Sequence, residues 1–242
     1  MKVLIINVAA NSAMREVGGS GPVFDDLTFH YKPIPEGEDA GDGPNYRDLG
    51  LTDYVPDPNM KVHHDPEFTG PSYGDYLKNK PTLKYIGSGD VLLFLASLDH
   101  VRTRARGFYF IGWLLVTDVL SEAEARRDAR CRKNAHLLRK DDYGFVVFVG
   151  KSGGLLPKAV PVTRAIAEQT MLPADGMWKI RNSRTGRTFQ DIERINHLTR
   201  FPRLVSDPAR LEILRSELVK VTVVDIFASS NGNNSAARDN GT

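Results

Sequence analysis

The chain has 242 residues, with 32 Lys and Arg against 30 Asp and Glu, 41% hydrophobic residues and a single cysteine, Cys131. Such a chain can bury a substantial core as one large domain or two small ones, and its composition is that of an ordinary soluble globular protein. One cysteine excludes a disulfide framework or a cysteine-based zinc site within one chain and fits a reducing, cytoplasmic location.

The near-zero net charge hides an asymmetry. Residues 1–80 hold 7 Lys and Arg against 13 Asp and Glu, whereas residues 81–220 hold 24 against 15. A basic half favours a polyanionic partner, because each neutralised phosphate releases counterions, although basic helices also simply face water.

In chain order, residues 2–8 read as a buried β-branched strand and not as a signal peptide, since no convincing cleavage site follows. Residues 11–22 are a Gly- and Ser-rich loop. Its GGSGP run matches neither a Walker loop nor GxGxxG, and Pro22 removes a backbone donor that a phosphate cradle would use. Residues 24–31 (FDDLTFHY) alternate as a second strand, which Pro33 and Pro35 end. Residues 36–58 form a long acidic connection. The strongest signal is the pair of apolar runs at 91–98 and 108–119, preceded by the Gly89–Asp90 turn. They are too short and too charge-interrupted to span a bilayer, so the chain is not expected to enter a membrane. They predict two strands buried on both faces, joined by a connection carrying Arg102, Arg104 and Arg106.

Residues 121–139 predict a basic helix opened by a Ser121–Glu124 capping box, with Glu122 and Glu124 near its positive end. Residues 143–149 predict a short strand closed by a flexible KSGG tip. Helical segments follow at 157–170, 191–200 and 207–220, the last started by Ser206 and Pro208. Residues 171–188 read as a loop in which Trp178 lies among Lys179, Arg181, Arg184 and Arg187. A final strand is expected at 221–227. The domain is expected to span residues 1–228, with residues 229–242 a disordered tail.

The segment KVHHDPEFTGPSYGDYL, residues 61–77, holds the densest set of chemically able side chains. His63, His64, Asp65 and Glu67 are the residue types that hold zinc, manganese or iron. On an extended strand, however, His63, Asp65 and Glu67 would share one face with the outer two roughly 13 Å apart, and His64 would point the other way. No metal is therefore expected unless a turn at Asp65–Pro66 relaxes that limit. The same side chains, with Tyr73 and Asp75, also suit a pocket that stacks a base and hydrogen-bonds its edge. The plainest reading is turn chemistry at DPEF and GPSYGD. His30 and Tyr31 join a pocket only if the fold brings them beside His64. Arg102, Arg104 and Arg106 with Arg126, Arg130, Lys133 and Lys151 could together track phosphates.

The strand–strand–helix–strand order over 87–149 resembles the PUA-like barrels, including the EVE, YTH and ASCH families. LIINVAANS, FDDLTFHYKPIPE, HHDPEFTGPSYGD, SGDVLLFLASL and RGFYFIGW together resemble the nucleotide modification associated domain 3 family, over residues 1–150. That resemblance implies a nucleotide or nucleic-acid context, with His64, Asp65, Glu67 and Asp75 within the family's motif.

The expectation is thus an α+β fold on a PUA-like mixed β-barrel with peripheral helices, binding DNA, RNA or a free nucleotide. His64, Asp65 and Glu67 are the candidate catalytic groups, with His64 or Glu67 as acid–base and Asp65 orienting the imidazole. His30, Tyr31, Glu36, His63, Tyr73 and Asp75 are the candidate substrate contacts. The basic side chains named above are the candidate nucleic-acid face. The alternatives are a non-catalytic reader of modified bases, or a metal-dependent nucleotide hydrolase in which at least three of His30, His63, His64, Asp65 and Glu67 converge. No cofactor is assigned.

Overall fold

The computed structural model describes residues 1–9, 12–36, 41–139, 144–171 and 202–220. The expectations for Trp178 and its arginines, the 191–200 helix, the 221–227 strand and the C-terminal tail lie outside the described residues. The main sheet contains β1 (Val3–Asn7), β2 (Gly21–Val23), β5 (Ser72–Asp75), β6 (Val91–His100), β7 (Arg106–Ser121), β8 (Val146–Pro161) and β9 (Arg203–Val205). A small second sheet pairs β3 (Ile34–Pro35) with β4 (Val62–His63). Among the described residues the helices are α1 (Glu122–Ala125), α2 (Ala135–Leu138), α3 (Arg164–Met171) and α4 (Pro208–Val219).

The sheet order is β5-β8-β7-β6-β1-β9, a mixed sheet curled into a half-barrel whose path ends at β5 and β9. This is the expected α+β fold with a barrel-like sheet. β6, β7 and β8 form an antiparallel meander. β1 and β2 run in succession along the outer edge of β6, both parallel to it, from Val3↔Val91 to Val23↔His100.

The unbroken apolar runs reflect a sheet covered on both faces. Leu4, Ile6, Leu92, Phe94 and Ala96 pack into one core beneath the 12–86 segment, with Tyr31, Tyr46, Leu51, Val62 and Tyr73. The alternate residues Val3, Ile5, Val91, Leu93 and Leu95 pack into a second core against Ile166 and Ala167 of α3 and Leu214 and Leu218 of α4. Burying each such aliphatic side chain contributes about 1.5–3 kcal/mol. Trp113 is half-buried against this second core. The Gly89–Asp90 turn anchors the β1–β6 edge: Gly89 adopts φ +83°, and Asp90 accepts the Gly87 N–H at 3.1 Å and the Lys2 N–H at 2.7 Å. Among the described residues no helix is long and apolar enough to cross a membrane.

Four local expectations are corrected. The 24–31 segment is a turn bracketed by one Val23–Phe29 bridge, because the strand paired to β6 ends at Val23. Residues 121–139 are not one helix but α1, a 3-10 turn at Ala129–Cys131 and α2. Asp128 and Asn134 each accept a backbone N–H two residues on, and so restart the chain rather than continue it. The KSGG run is interior to β8, where Leu115 and Leu114 pair with Ser152 and Gly153, so it is not a flexible tip. The 157–170 helix gives way to strand as far as Pro161, and α3 begins only at Arg164. By contrast α4 occupies the expected segment with Pro208 in its first turn, although the cap is Asp207, which accepts the Arg210 N–H, and not Ser206.

The 41–58 connection is packed, since Tyr46 and Leu51 are fully buried. Lys32 staples this region: its buried ammonium donates to the Val17 carbonyl at 2.9 Å and the Tyr54 carbonyl at 3.1 Å. Burial pushes this lysine down to about 8, partly offset by the Asp99 carboxylate.

Two consequences can be measured. Between about pH 8 and 10.5 the unfolded chain keeps a Lys32 proton that the folded chain has lost, so this residue's contribution to stability rises with pH. Urea denaturation of wild type and Lys32→Met, at about pH 7.5 and pH 10, is expected to show the gap shifting in favour of wild type; a constant gap would mean that Lys32 titrates normally. Asn134 is fully buried, accepts the His136 N–H at 3.2 Å and donates to Ser72 Oγ at 3.3 Å. Asn134→Ala is expected to cost about 1–3 kcal/mol in the same assay, by removing a cap and orphaning a buried hydroxyl.

Candidate functional site

β5 pairs with β8 along one side only, from Ser72↔Val149 to Asp75↔Val146. Its other side meets the turn that follows β4 instead of another strand. The Gly74 N–H, which would otherwise be an open edge donor, donates to both Asp65 oxygens, at 3.2 and 3.0 Å. Gly74 also lets α2 come close, because a Cβ there would lie 2.4 Å from His136 Cδ2 and 2.8 Å from Asn134 Oδ1. The Asn134 cap fixes α2 on β5, and His136 is thereby held against this strand.

The segment after β4 is not extended. The Asp65 N–H donates back to the His63 carbonyl at 3.0 Å, and the Asp65–Pro66 peptide is cis. Glu67 and Ser72 then exchange backbone hydrogen bonds of 2.9 and 3.0 Å, which closes the turn. The Tyr31 hydroxyl donates to the Asp65 carbonyl at 2.8 Å from below. The result sorts the loop into two groups. His63 and Asp65 turn toward α2, where the His63 and His136 rings meet edge to face at 4.8 Å and His136 Nε2 lies 3.6 Å from Asp65 Oδ2. His64 turns the other way and pairs with Glu67, Nδ1 to Oε2 at 3.2 Å.

Three carboxylates are therefore held in different ways. Asp65 is fully buried, and burial together with the nearby Asp75 charge pushes it well above the usual carboxylate range, against the Gly74 N–H and Lys80. Burial would also raise Glu67, but His64 and the Thr69 N–H outweigh it and hold Glu67 at about 2. Glu36 is likewise raised by burial and lowered more strongly by His63 and Arg139, with a net fall. His63 Nδ1 is buried and lies 3.4 Å from Glu36 Oε1. Arg139 grips the same Glu36 oxygen.

Asp75 forms the opposite wall. It receives the Tyr73 hydroxyl, the Lys80 ammonium and, at 2.8 Å, the Tyr76 N–H. Lys80 also donates to the Tyr73 hydroxyl at 3.1 Å. Burial and the Asp75 charge push the Tyr73 phenol well up. Between these groups opens a cavity of about 520 Å³, with Ile34, Pro35 and Tyr76 among its less polar walls and His63, His136, Lys80 and Arg139 among its polar ones.

Of the expected site residues, His63, Asp65, Tyr73 and Asp75 line this cavity. Glu36 and Tyr31 stand behind it, on His63 and on the Asp65 carbonyl. His64 and Glu67 form their own pair, so the imidazole that Asp65 faces is His136 and not His64. The His30 ring lies 5.0 Å from that of Tyr54, tilted by 34°, and Tyr54 lines a different cavity of about 680 Å³ with Lys32, Asp53, Asp99, Arg104 and Arg106. The pocket residues that sequence reasoning missed include the charged and imidazole groups of His136, Lys80 and Arg139 and the ring of Tyr76. The Asn134-Ala-His136 cap at the end of the basic segment is the one local signal that marks a positioned histidine.

The seven expected phosphate contacts do not form one face. Arg102, Arg104 and Arg106 lie at the start of β7, and Arg126, Arg130 and Lys133 beyond its end, a path of 16 residues and about 50 Å. Lys151 lies between, on β8. Arg106 binds Asp99 bidentately at 2.8 and 3.0 Å, and Arg102 pairs with Asp25 at 2.9 Å. Arg126 pairs with Glu122 at 3.0 Å, and Arg130 with Asp118 and Asp128 at 2.7 and 2.6 Å. Much of that positive charge is already answered within the chain.

No curated protein and no solved structure matches the chain. All of the half-barrel except β9, the Asp65–Gly74 edge contact and the α2 histidine fall within residues 2–201, the span that matches the family model for nucleotide modification associated domain 3. A match over most of the chain assigns it: this protein belongs to the nucleotide modification associated domain 3 family.

Proposed function

We propose that the chain binds a nucleotide, or a base presented by a nucleic acid, in the cavity between β5, the 62–67 turn and α2, and takes part in modifying that base. The observation that carries this reading is the convergence of Asp65, Asp75, His63, His136, Lys80 and Arg139 on one open cavity of about 520 Å³. Ligand pockets of about 300–1,000 Å³ take small molecules of nucleotide size. Tyr76 and Pro35 offer faces against which a base stacks, and the carboxylates and cations offer acceptors and donors for its edge and for phosphate. The family's association with nucleotide modification supports the same context.

The phosphate contacts belong to the segment nearest the pocket. Lys133 is exposed immediately before the Asn134 cap, and Arg139 lines the cavity at the other end of α2. The arginines at the β6–β7 turn are distant from this site and carry no part of the reading. A non-catalytic reader calls for an aromatic cage. Here a titratable cluster replaces one, which favours a role in chemistry over recognition alone.

Two measurements test this. Calorimetric titration with nucleotides and short single-stranded oligonucleotides is expected to show binding that Tyr76→Ala weakens by about 5- to 150-fold, the worth of one stacked base. Equal affinity in wild type and variant would remove the base from this pocket. Lys133→Ala is expected to leave nucleoside binding unchanged and to flatten the slope of log affinity against log salt by about 0.7 for a single-stranded oligonucleotide. An unaltered slope would place the backbone elsewhere.

A further inference from the structure

We propose that His63, Asp65 and His136 bind one divalent transition-metal ion at the floor of this cavity. The three offer one ligand atom each, all within 4.8 Å of one another. Ligands about 2.0–2.2 Å from a shared ion stand roughly 3–3.6 Å apart. His136 Nε2 and Asp65 Oδ2, at 3.6 Å, already have that spacing, and the His63 ligand atom lies within 4.8 Å of both.

The surroundings are those of a ligand set. A histidine that ligates a metal turns its other ring nitrogen to a carboxylate or carbonyl, which fixes the tautomer and the ring orientation. His63 Nδ1 faces Glu36, and Glu36 is itself clamped by Arg139, leaving Nε2 to coordinate. Asp65 is oriented by the Gly74 N–H through both of its oxygens. His136 is set by the Asn134 cap and by stacking on Phe145 at 5.3 Å. Asp65 and His136 are both buried, and a carboxylate taken out of water is costly unless a cation answers it. An ion here would answer it.

The donor set decides the class. Two imidazoles and one carboxylate suit zinc or ferrous iron far better than calcium or magnesium, which take oxygen ligands. Three protein ligands leave coordination positions open, and the side left open is the cavity itself, so water or a substrate atom would complete the shell. This departs from the expectation of no metal, which considered the 63–67 loop as an extended strand and did not include His136. The inference rests on reading the cavity as a ligand site. It does not require the ligand to be a nucleotide.

The test uses the full chain, stripped with EDTA, dialysed, and titrated with Zn²⁺, with Co²⁺ and, under argon, with Fe²⁺. One equivalent per chain is expected, with Co²⁺ giving visible d–d bands from nitrogen and oxygen ligands. His63→Ala and His136→Ala are each expected to lose more than about 100-fold in affinity, and Glu36→Gln about 10- to 100-fold. His100→Gln, at the far end of β6, is expected to bind as wild type does. Full uptake by His136→Ala, or wild-type protein without saturable uptake or d–d bands, overturns the proposal. The wild-type spectrum decides the matter even if a variant does not fold. Nucleotide titrations on the stripped and loaded chains separate the two readings: nucleotide binding without metal uptake overturns only the metal site, and metal uptake without nucleotide binding overturns only the proposed ligand.

Discussion

The arrangement of the pocket depends on how one strand edge is closed. Among the described residues β5 has a strand partner on one side only, and the amide of Gly74 on the other side is satisfied by a buried carboxylate. That contact requires the chain to double back after β4 and brings Asp65 within the fold. The lack of a Cβ at position 74 admits His136. One glycine thus links the turn and α2 through its donor on one side and its missing side chain on the other.

Around that contact, each group is held by a second one. Asn134 caps α2 and reaches Ser72; Arg139 and His63 share Glu36; Tyr73 and Lys80 share Asp75. Buried polar networks of this kind are costly when incomplete, because each unanswered group forfeits its hydration. The pocket therefore consists of mutually constrained side chains on an edge strand, a short turn and a one-turn helix. The sheet beneath is covered on both faces, which gives this small assembly a rigid floor.

The electrostatics of the chain are local. The basic excess after residue 80 suggests a single cationic face, yet most of the arginines in question find a carboxylate within 3.1 Å, and the two groups stand at opposite ends of β7. Exposed pairs of this kind contribute little to stability. Their effect is to neutralise charge that composition alone would assign to a partner. The cations that bear on the pocket are Arg139, at the end of α2, and Lys80, after β5.

The sequence by itself determined the elements whose signal is local and strong. The twin apolar runs of β6 and β7, the first strand, the capped start at Ser121 and Pro208 in the first turn of α4 are legible because hydrophobic period and cap chemistry act over a few residues. The motif residues His63, Asp65, Tyr73 and Asp75 were legible as a chemically able cluster. What only the tertiary structure decided is which of them meet. Whether His63 and Asp65 share a side depends on a turn, and adjacent side chains on a turn diverge by amounts no strand rule predicts; hence Asp65 faces His136, more than 70 residues away, and His64 goes to Glu67. The extension of β8 through KSGG was likewise decided by a partner distant in sequence, the long edge of β7, whereas the break in the 121–139 segment follows from the local Asp128 and Asn134 bonds. Periodicity reports which residues are buried, but the identity of the neighbour across a contact is fixed only when the sheet closes over it.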